Sequence, residues 1–298
     1  MRFLTFHANG KEQFGILFDQ DSTILNLSLY GQRHQDFSFP ATLLEAIKQG
    51  DAFLNAISGI LETDRDELMP YLIGLKDISL LAPIPTPVKN IFCIGKNYRD
   101  HAIEMGSATD IPTEMIVFTK APTTVIGHLS EIDSHPEVTS QLDYEGELAV
   151  VIGKKGKSIP QDEAMEHIFG YTIINDITAR DLQEKHKQYF IGKSLDTSCP
   201  MGPWIVSRSE IENPEQLSIT TKVNGNLRQD SNTEHFIFPI REMISVLSKG
   251  MTLEPGDIIA TGTPAGVGKG FKPPKFLAKG DKIEVTVEMI GTLTNVVK

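Results

Sequence analysis

The stretch that decides the fold is "QLDYEGELAVVIGK", residues 141–154. Its second half, "ELAVVIGK", has the composition of a buried strand, yet the run begins with Asp143, Glu145 and Glu147. Alternate residues of a strand point to one side. Glu145 and Glu147 therefore share a face, while Leu148 and Val150 take alternating positions beyond them. Two readings stay open at this point. The pair lies on the wet face of an edge strand, or it faces a positive charge. A second apolar strand, "GYTIIND", ends in Asp176, and Asp181 follows five residues later in "TARDLQ". Three carboxylates at strand ends, Glu145, Glu147 and Asp176, can hold a hard divalent ion, and an all-oxygen set favours magnesium, manganese or calcium over zinc. Without a cation, their repulsion must be met by protonation or by solvent.

Working outward, the pattern is β-rich. "NIFCIGKNY", "MIVFTKAP", "GPWIVS", "LSITTKVNGNLR", "DIIATG" and "KIEVTVEMIGTLTNVV" are further strand candidates. Two helical segments interrupt them, "QDEAMEHIF" after Pro160 and "IREMISVLSKG", which closes at Gly250. Many strands with few helices predict a rolled or barrel-like β architecture rather than a doubly wound sheet. The first part of the chain is a separate small unit on this reading. "RFLTFHANGKEQFGILFD" is a hairpin turning at Asn9-Gly10. "QDSTILNL" is a third strand, and "TLLEAIKQGDAFLNAISGILET" has helical spacing broken at Gly50. Pro83, Pro85 and Pro87 make an extended linker, so the expected domains are 1–82 and 83–298.

Composition excludes several classes. The 298 residues are 40% hydrophobic and 22% charged, ordinary values for a globular chain. A formal net charge of −11 argues against binding nucleic acid. Cys93 and Cys199 offer no disulfide framework or zinc ribbon. The opening residues lack a signal-peptide core, and no apolar run approaches transmembrane length. The expected location is the cytoplasm, with no membrane partner.

Three further segments carry chemistry. In "IGKNYRDHAIEMG" (94–106), His101 and Glu104 are neighbours if the segment turns helical. A carboxylate can orient an imidazole as a general base; the plainer reading is an exposed pair on a surface turn. Gly106 and "SATDIP" make the following loop irregular, which suits a lid. Lys193, in "FIGKSLDTSCPMGP", could bind a substrate carboxylate or be a solvated lysine. "TGTPAGVGKG" (261–270) fails the Walker spacing and lacks the hydroxyl that would hold magnesium. It is either a tight turn or a backbone cradle for a substrate carboxylate.

Taken together, "IGKNYRDHAIEMG", "DYEGELAVVIGK", "GYTIINDITARDLQ", "GKSLDTSCPMGP" and "GDIIATGTPAGVG" resemble the fumarylacetoacetate hydrolase family from about residue 84 to the C-terminus. The resemblance implies a mixed, β-rich fold, a β-sandwich roll with a small α+β N-terminal domain, forming a homodimer. It implies that Glu145, Glu147 and Asp176 hold Mg²⁺ or Mn²⁺, that His101 and Glu104 form a catalytic dyad, and that Lys193 positions substrate or water. Gln183 and Thr263 fall on substrate-contacting positions. The implied substrate is a small dicarboxylate or acylpyruvate, attacked through a metal-stabilised enolate. Oxaloacetate decarboxylation is the first expectation. Acylpyruvate hydrolysis, for example of fumarylpyruvate, and keto–enol tautomerisation or isomerisation follow from the same enolate. A non-enzymatic module that binds metal and ligand is the alternative of a different class.

Overall fold

The structure, a computed structural model, describes residues 1–19, 22–34 and 39–298, with the backbone alone at Asp19. Its centre is the strand Gly146–Ile152, every residue of which is buried. It pairs antiparallel with Ile168–Asn175 on one side and Ile258–Ala260 on the other. From there the large sheet runs outward in two directions. One passes through Ile91–Gly95 to Ile116–Lys120, and the other through Cys199–Ser207 to the N-terminal strands Arg2–Ala8, Lys11–Asp19, Thr23–Asn26 and Leu72–Gly74. The N-terminal strands join through Arg2 opposite Val206 and Phe3 opposite Ile205. A five-stranded sheet, ordered Asn226–Asn232, Ser218–Val223, Lys282–Val287, Gly291–Val297 and Glu131–Ile132, packs on one face.

The central strand is apolar on both sides because both sides are covered. Leu148, Val150 and Ile152 belong to the core shared with Ile219, Val285 and Leu293 of the smaller sheet. Ala149 and Val151 belong to a second core, closed by Phe3, Phe14, Ile47, Phe53 and Ile57. Ile47, Phe53 and Ile57 come from the helices Leu43–Gln49 and Asp51–Leu61, which meet at Gly50 with φ 58°. Alternation therefore puts Glu147 in line with Ala149 and Val151, on the helix-covered face. Asp176, two residues beyond Ile174, continues the same face on the neighbouring strand. The acids sit where that core ends, not between the two sheets.

Most sequence-predicted elements form. The Asn9-Gly10 hairpin closes with Ala8 opposite Lys11, both turn residues having positive φ. The third strand is Thr23–Asn26; Gln20 and Asp21 of that segment lie outside the described residues. Ile240–Gly250 is a helix. Three expectations differ. "QDEAMEHIF" has only a 3₁₀ turn at Ala164–His167, and its tail from Ile168 enters the next strand. "LSITTKVNGNLR" folds back at Asn224-Gly225 into a hairpin, both residues having positive φ. "KIEVTVEMIGTLTNVV" turns likewise between Val287 and Gly291. Length misled in these last two cases, since a short turn inside an apolar run splits it, Asn224-Gly225 in the first and residues 288–290 in the second.

Candidate active site

The acids meet. Glu145, Glu147 and Asp176 are each nearly fully buried, and one carboxylate oxygen from each lies within 4.8 Å of the others. That is about the span of two metal–oxygen bonds of roughly 2.1–2.6 Å laid end to end. Pairing of the two strands places them: Asp176 N–H donates to Glu145 O (2.8 Å), just past the pair Gly146–Asn175. Asn175 locks the turn with its amide oxygen accepting from Glu145 N–H (3.0 Å).

Three buried cations answer these acids. Lys193 Nζ lies 2.7 Å from both Glu145 Oε2 and Asp176 Oδ2. Arg180 reaches Glu145 Oε1 at 2.7 Å and Asp143 Oδ2 at 2.8 Å. Lys120 Nζ lies 2.8 Å from Asp176 Oδ1 and donates to the backbone carbonyls of Ile177 (3.0 Å) and Lys193. Among the described residues, Glu147 alone of the four carboxylates touches no cation; Gly262 N–H donates to its Oε2 (2.8 Å). Its chemistry diverges from that of Glu145 accordingly. Burial works to raise Glu145, but Lys193 and Arg180, with His101 behind them, hold its carboxyl down at about 2. Burial raises Glu147 well above the usual carboxylate range, and the charges of Asp176 and Glu145 push it further. Lys193 and Arg180 are raised in turn: burial opposes their charge, and their acidic partners outweigh it.

The donor set fits a hard divalent ion. It is three carboxylates, one of them without a cation. Asp176 Oδ1 is buried and accepts no hydrogen bond among the described residues, although the Lys120 ammonium lies 2.8 Å away.

The glycine-rich loop after Ile258–Ala260 is a carboxylate cradle, but for the protein's own acids. Gly262 N–H serves Glu147, and Gly266 N–H serves both oxygens of Glu104 (2.9 and 3.1 Å). Gly268 and Lys269 N–H serve Asp143 (2.7 and 3.0 Å). Gly262 has φ 99° and an added Cβ would lie 2.7 Å from Asn97 Cβ; at Gly270 it would lie 2.2 Å from Glu104 Oε1. Thus the loop needs its glycines to close over these side chains.

His101 and Glu104 lie on the short helix Arg99–Glu104, with His101 Nδ1 3.4 Å from Glu104 Oε2. His101 is 5% exposed, so the surface-pair reading does not describe it. It lines a pocket of about 200 Å³ with Glu145, Glu147, Arg180, Gln183, Lys193 and Thr263. Gln183 Oε1 accepts from Arg180 (3.2 Å). Thr263 Oγ1 donates to Gly146 O and accepts from Gln229. Lys193 is buried and bridges two acids, which removes the reading as a solvated lysine, while it still lines the pocket. Asp181 stands apart, holding Thr139 and Ser140. Sequence reasoning passed over Arg180 and Lys120. The signal available was charge balance: three buried acids call for buried cations nearby.

Residues 90–298 match the family model described as fumarylacetoacetate (FAA) hydrolase C-terminal. The chain is 56% identical over 299 residues to "Oxaloacetate tautomerase YisK" of Bacillus subtilis (strain 168), covering 99% of each. Among solved structures it is similar to a fumarylacetoacetate hydrolase from psychrophilic Exiguobacterium antarcticum, with 41% identity, TM-score 0.84 and coverage of 100% and 99%. It is also similar to a 5-carboxymethyl-2-hydroxymuconate delta-isomerase from Mycobacterium smegmatis, with 34% identity, TM-score 0.75 and coverage of 100% and 98%. This chain belongs to the fumarylacetoacetate hydrolase family. No helix among the described residues is long and apolar enough to cross a membrane.

Proposed function

We propose that the chain is a divalent-metal-dependent enzyme that interconverts the keto and enol forms of an α-keto acid carrying a β-carbonyl group, with oxaloacetate as substrate. The observation that carries the enzyme reading is that Glu145 and Glu147, which meet Asp176, line one pocket with the buried His101, and that Glu104 lies beside the His101 ring. The choice of reaction rests on the 56% identical relative named as an oxaloacetate tautomerase. Decarboxylation, the first expectation from sequence, would break the C3–C4 bond of the keto form, releasing CO₂ and leaving the enolate of pyruvate with its charge on the same 2-oxo oxygen, and is an outcome of the test.

Glu145, Glu147 and Asp176 would hold Mg²⁺ or Mn²⁺. The ion would supply Lewis-acid stabilisation of the negative charge that grows on the 2-oxo oxygen. The chain's own groups do the rest. His101, oriented by Glu104, takes the proton from C3; a proton delivered to the 2-oxo oxygen, from His101 or from water, completes the enol, and both transfers reverse when the keto form is restored. Lys193 and Arg180 keep Glu145 ionised at neutral pH. Arg180 Nη2, buried and without a hydrogen-bond partner among the described residues, is a donor available to an anionic group. A pure chelating module would not require a base at the pocket wall, which favours turnover. We place the enzyme in the cytoplasm as a homodimer, an assembly that light scattering would check.

The test is oxaloacetate keto–enol equilibration, with pyruvate release measured alongside. Acceleration should require Mg²⁺ or Mn²⁺, vanish with EDTA, and fall roughly 10²–10³-fold in His101→Ala with metal retained. No acceleration by the metal-loaded wild type would overturn the reading. Pyruvate release as fast as equilibration would move it to decarboxylation.

A further inference from the structure

The loop 261–270 spends the N–H groups of Gly262, Gly266, Gly268 and Lys269 on Glu147, Glu104 and Asp143, so these four are not free for substrate. Its one charged side chain is a different matter. Lys269 lines the same pocket as the acids, as do Lys96 and Glu184. The buried cations of the pocket are largely committed: Arg180 to Asp143 and Glu145, with Nη2 alone left over, and Lys193 to Glu145 and Asp176. The wall cations are not. Lys269 Nζ lies 3.5 Å from Glu184 Oε2, and its side chain remains 36% exposed against 75% for Glu184. Lys96 makes no ion pair among the described residues, although the chain gives it a positive φ of 53°. A pocket whose only purpose was to take one α-keto carboxylate would need no second group of cations.

We infer that Lys269, assisted by Lys96, forms a second anion site that recognises the distal carboxylate of a β-keto diacid, exchanging Glu184 for the substrate. This rests on the reading above and names the residues that would hold the second carboxylate. Glu184 is then a gate by charge. It neutralises Lys269 in the free protein and repels a second carboxylate until Lys269 swings to it. The two residues therefore affect specificity with opposite signs, which a purely structural ion pair would not do.

The experiment compares oxaloacetate with its 4-methyl ester, which keeps the carbon skeleton and removes the distal charge. The readout is the ratio of kcat/KM for the diacid over the ester. Lys269→Met should lower this ratio roughly five- to tenfold, mainly through KM of the diacid, and Lys269→Arg should restore most of it. Glu184→Gln should raise it about two- to threefold. Lys96→Met should lower it less than Lys269→Met. An unchanged ratio in Lys269→Met, or a fall in Glu184→Gln, overturns the inference. If the wild type does not turn over oxaloacetate, the proposed reaction fails separately. Calorimetric binding of the same two compounds to the Mg²⁺-loaded variants then gives the ratio, with the same results supporting or overturning the inference.

Discussion

Asp143 and Glu147 are four residues apart on one run of chain and are both buried, yet their surroundings are opposite. Asp143 accepts from the N–H groups of Tyr144, Gly268 and Lys269 and from Arg180 Nε, at 2.7 to 3.0 Å. Glu147 accepts from Gly262 N–H, lies near two other carboxylates and touches no cation among the described residues. The difference teaches how to tell a structural acid from one poised for a ligand. A buried carboxylate with its lone pairs filled ties elements together; one left short of donors carries a cost that an incoming cation relieves.

The comparison can be broken by exchanging what each acid supports. Asp143→Ala should have the largest effect, on stability. It removes one of the two acids that hold Arg180 and the acceptor of two loop N–H groups, and a broken buried pair costs about 3–5 kcal/mol, readable in urea denaturation. If stability barely changes, Asp143 does not hold the loop to the sheet. Glu147→Gln should do the reverse. Affinity for Mn²⁺ should fall about 100-fold or more, while the melting temperature stays level or rises, because the burial of a charge is removed. A sharp loss of stability with metal affinity intact would make Glu147 the structural acid. Glu104→Gln should be milder, lowering turnover by roughly tenfold with metal content unchanged, since it orients His101 and accepts from Gly266.

The smallest effect expected lies far from both acids. His128 accepts from Thr294 N–H, and burial lowers its pKa below the ordinary 6.5. Above that value the imidazole is neutral in both folded and unfolded chains. As pH falls below it, the unfolded chain takes the proton first, and stability is lost until the folded pKa is passed. His128→Asn should flatten this part of the stability–pH curve. An unaltered slope would mean that His128 is not buried in solution.

Much of the site was legible because strand geometry is periodic. Glu145 and Glu147 had to share a side, and Asp176 ended an apolar run, so their partnership needed only that the two strands pair in the right register. The hairpin at Asn9-Gly10 and the break at Gly50 were legible because turn residues act locally. What sequence could not give depends on contacts across many residues. Lys120 lies 56 positions from Asp176, and Gly262 lies 115 from Glu147; no local pattern encodes either distance in space. The same holds for the glycine loop. Its composition showed that something would be held closely, while its ligands, three acids from two distant segments, emerged only when the sheet was assembled.

The most direct test of the central claim is anomalous scattering from crystals grown with Mn²⁺. The account predicts a single strong peak in the pocket, with a carboxylate oxygen of Glu145, Glu147 and Asp176 each within about 2.3 Å. Crystals that take up Mn²⁺ but show no peak among these three side chains would contradict it.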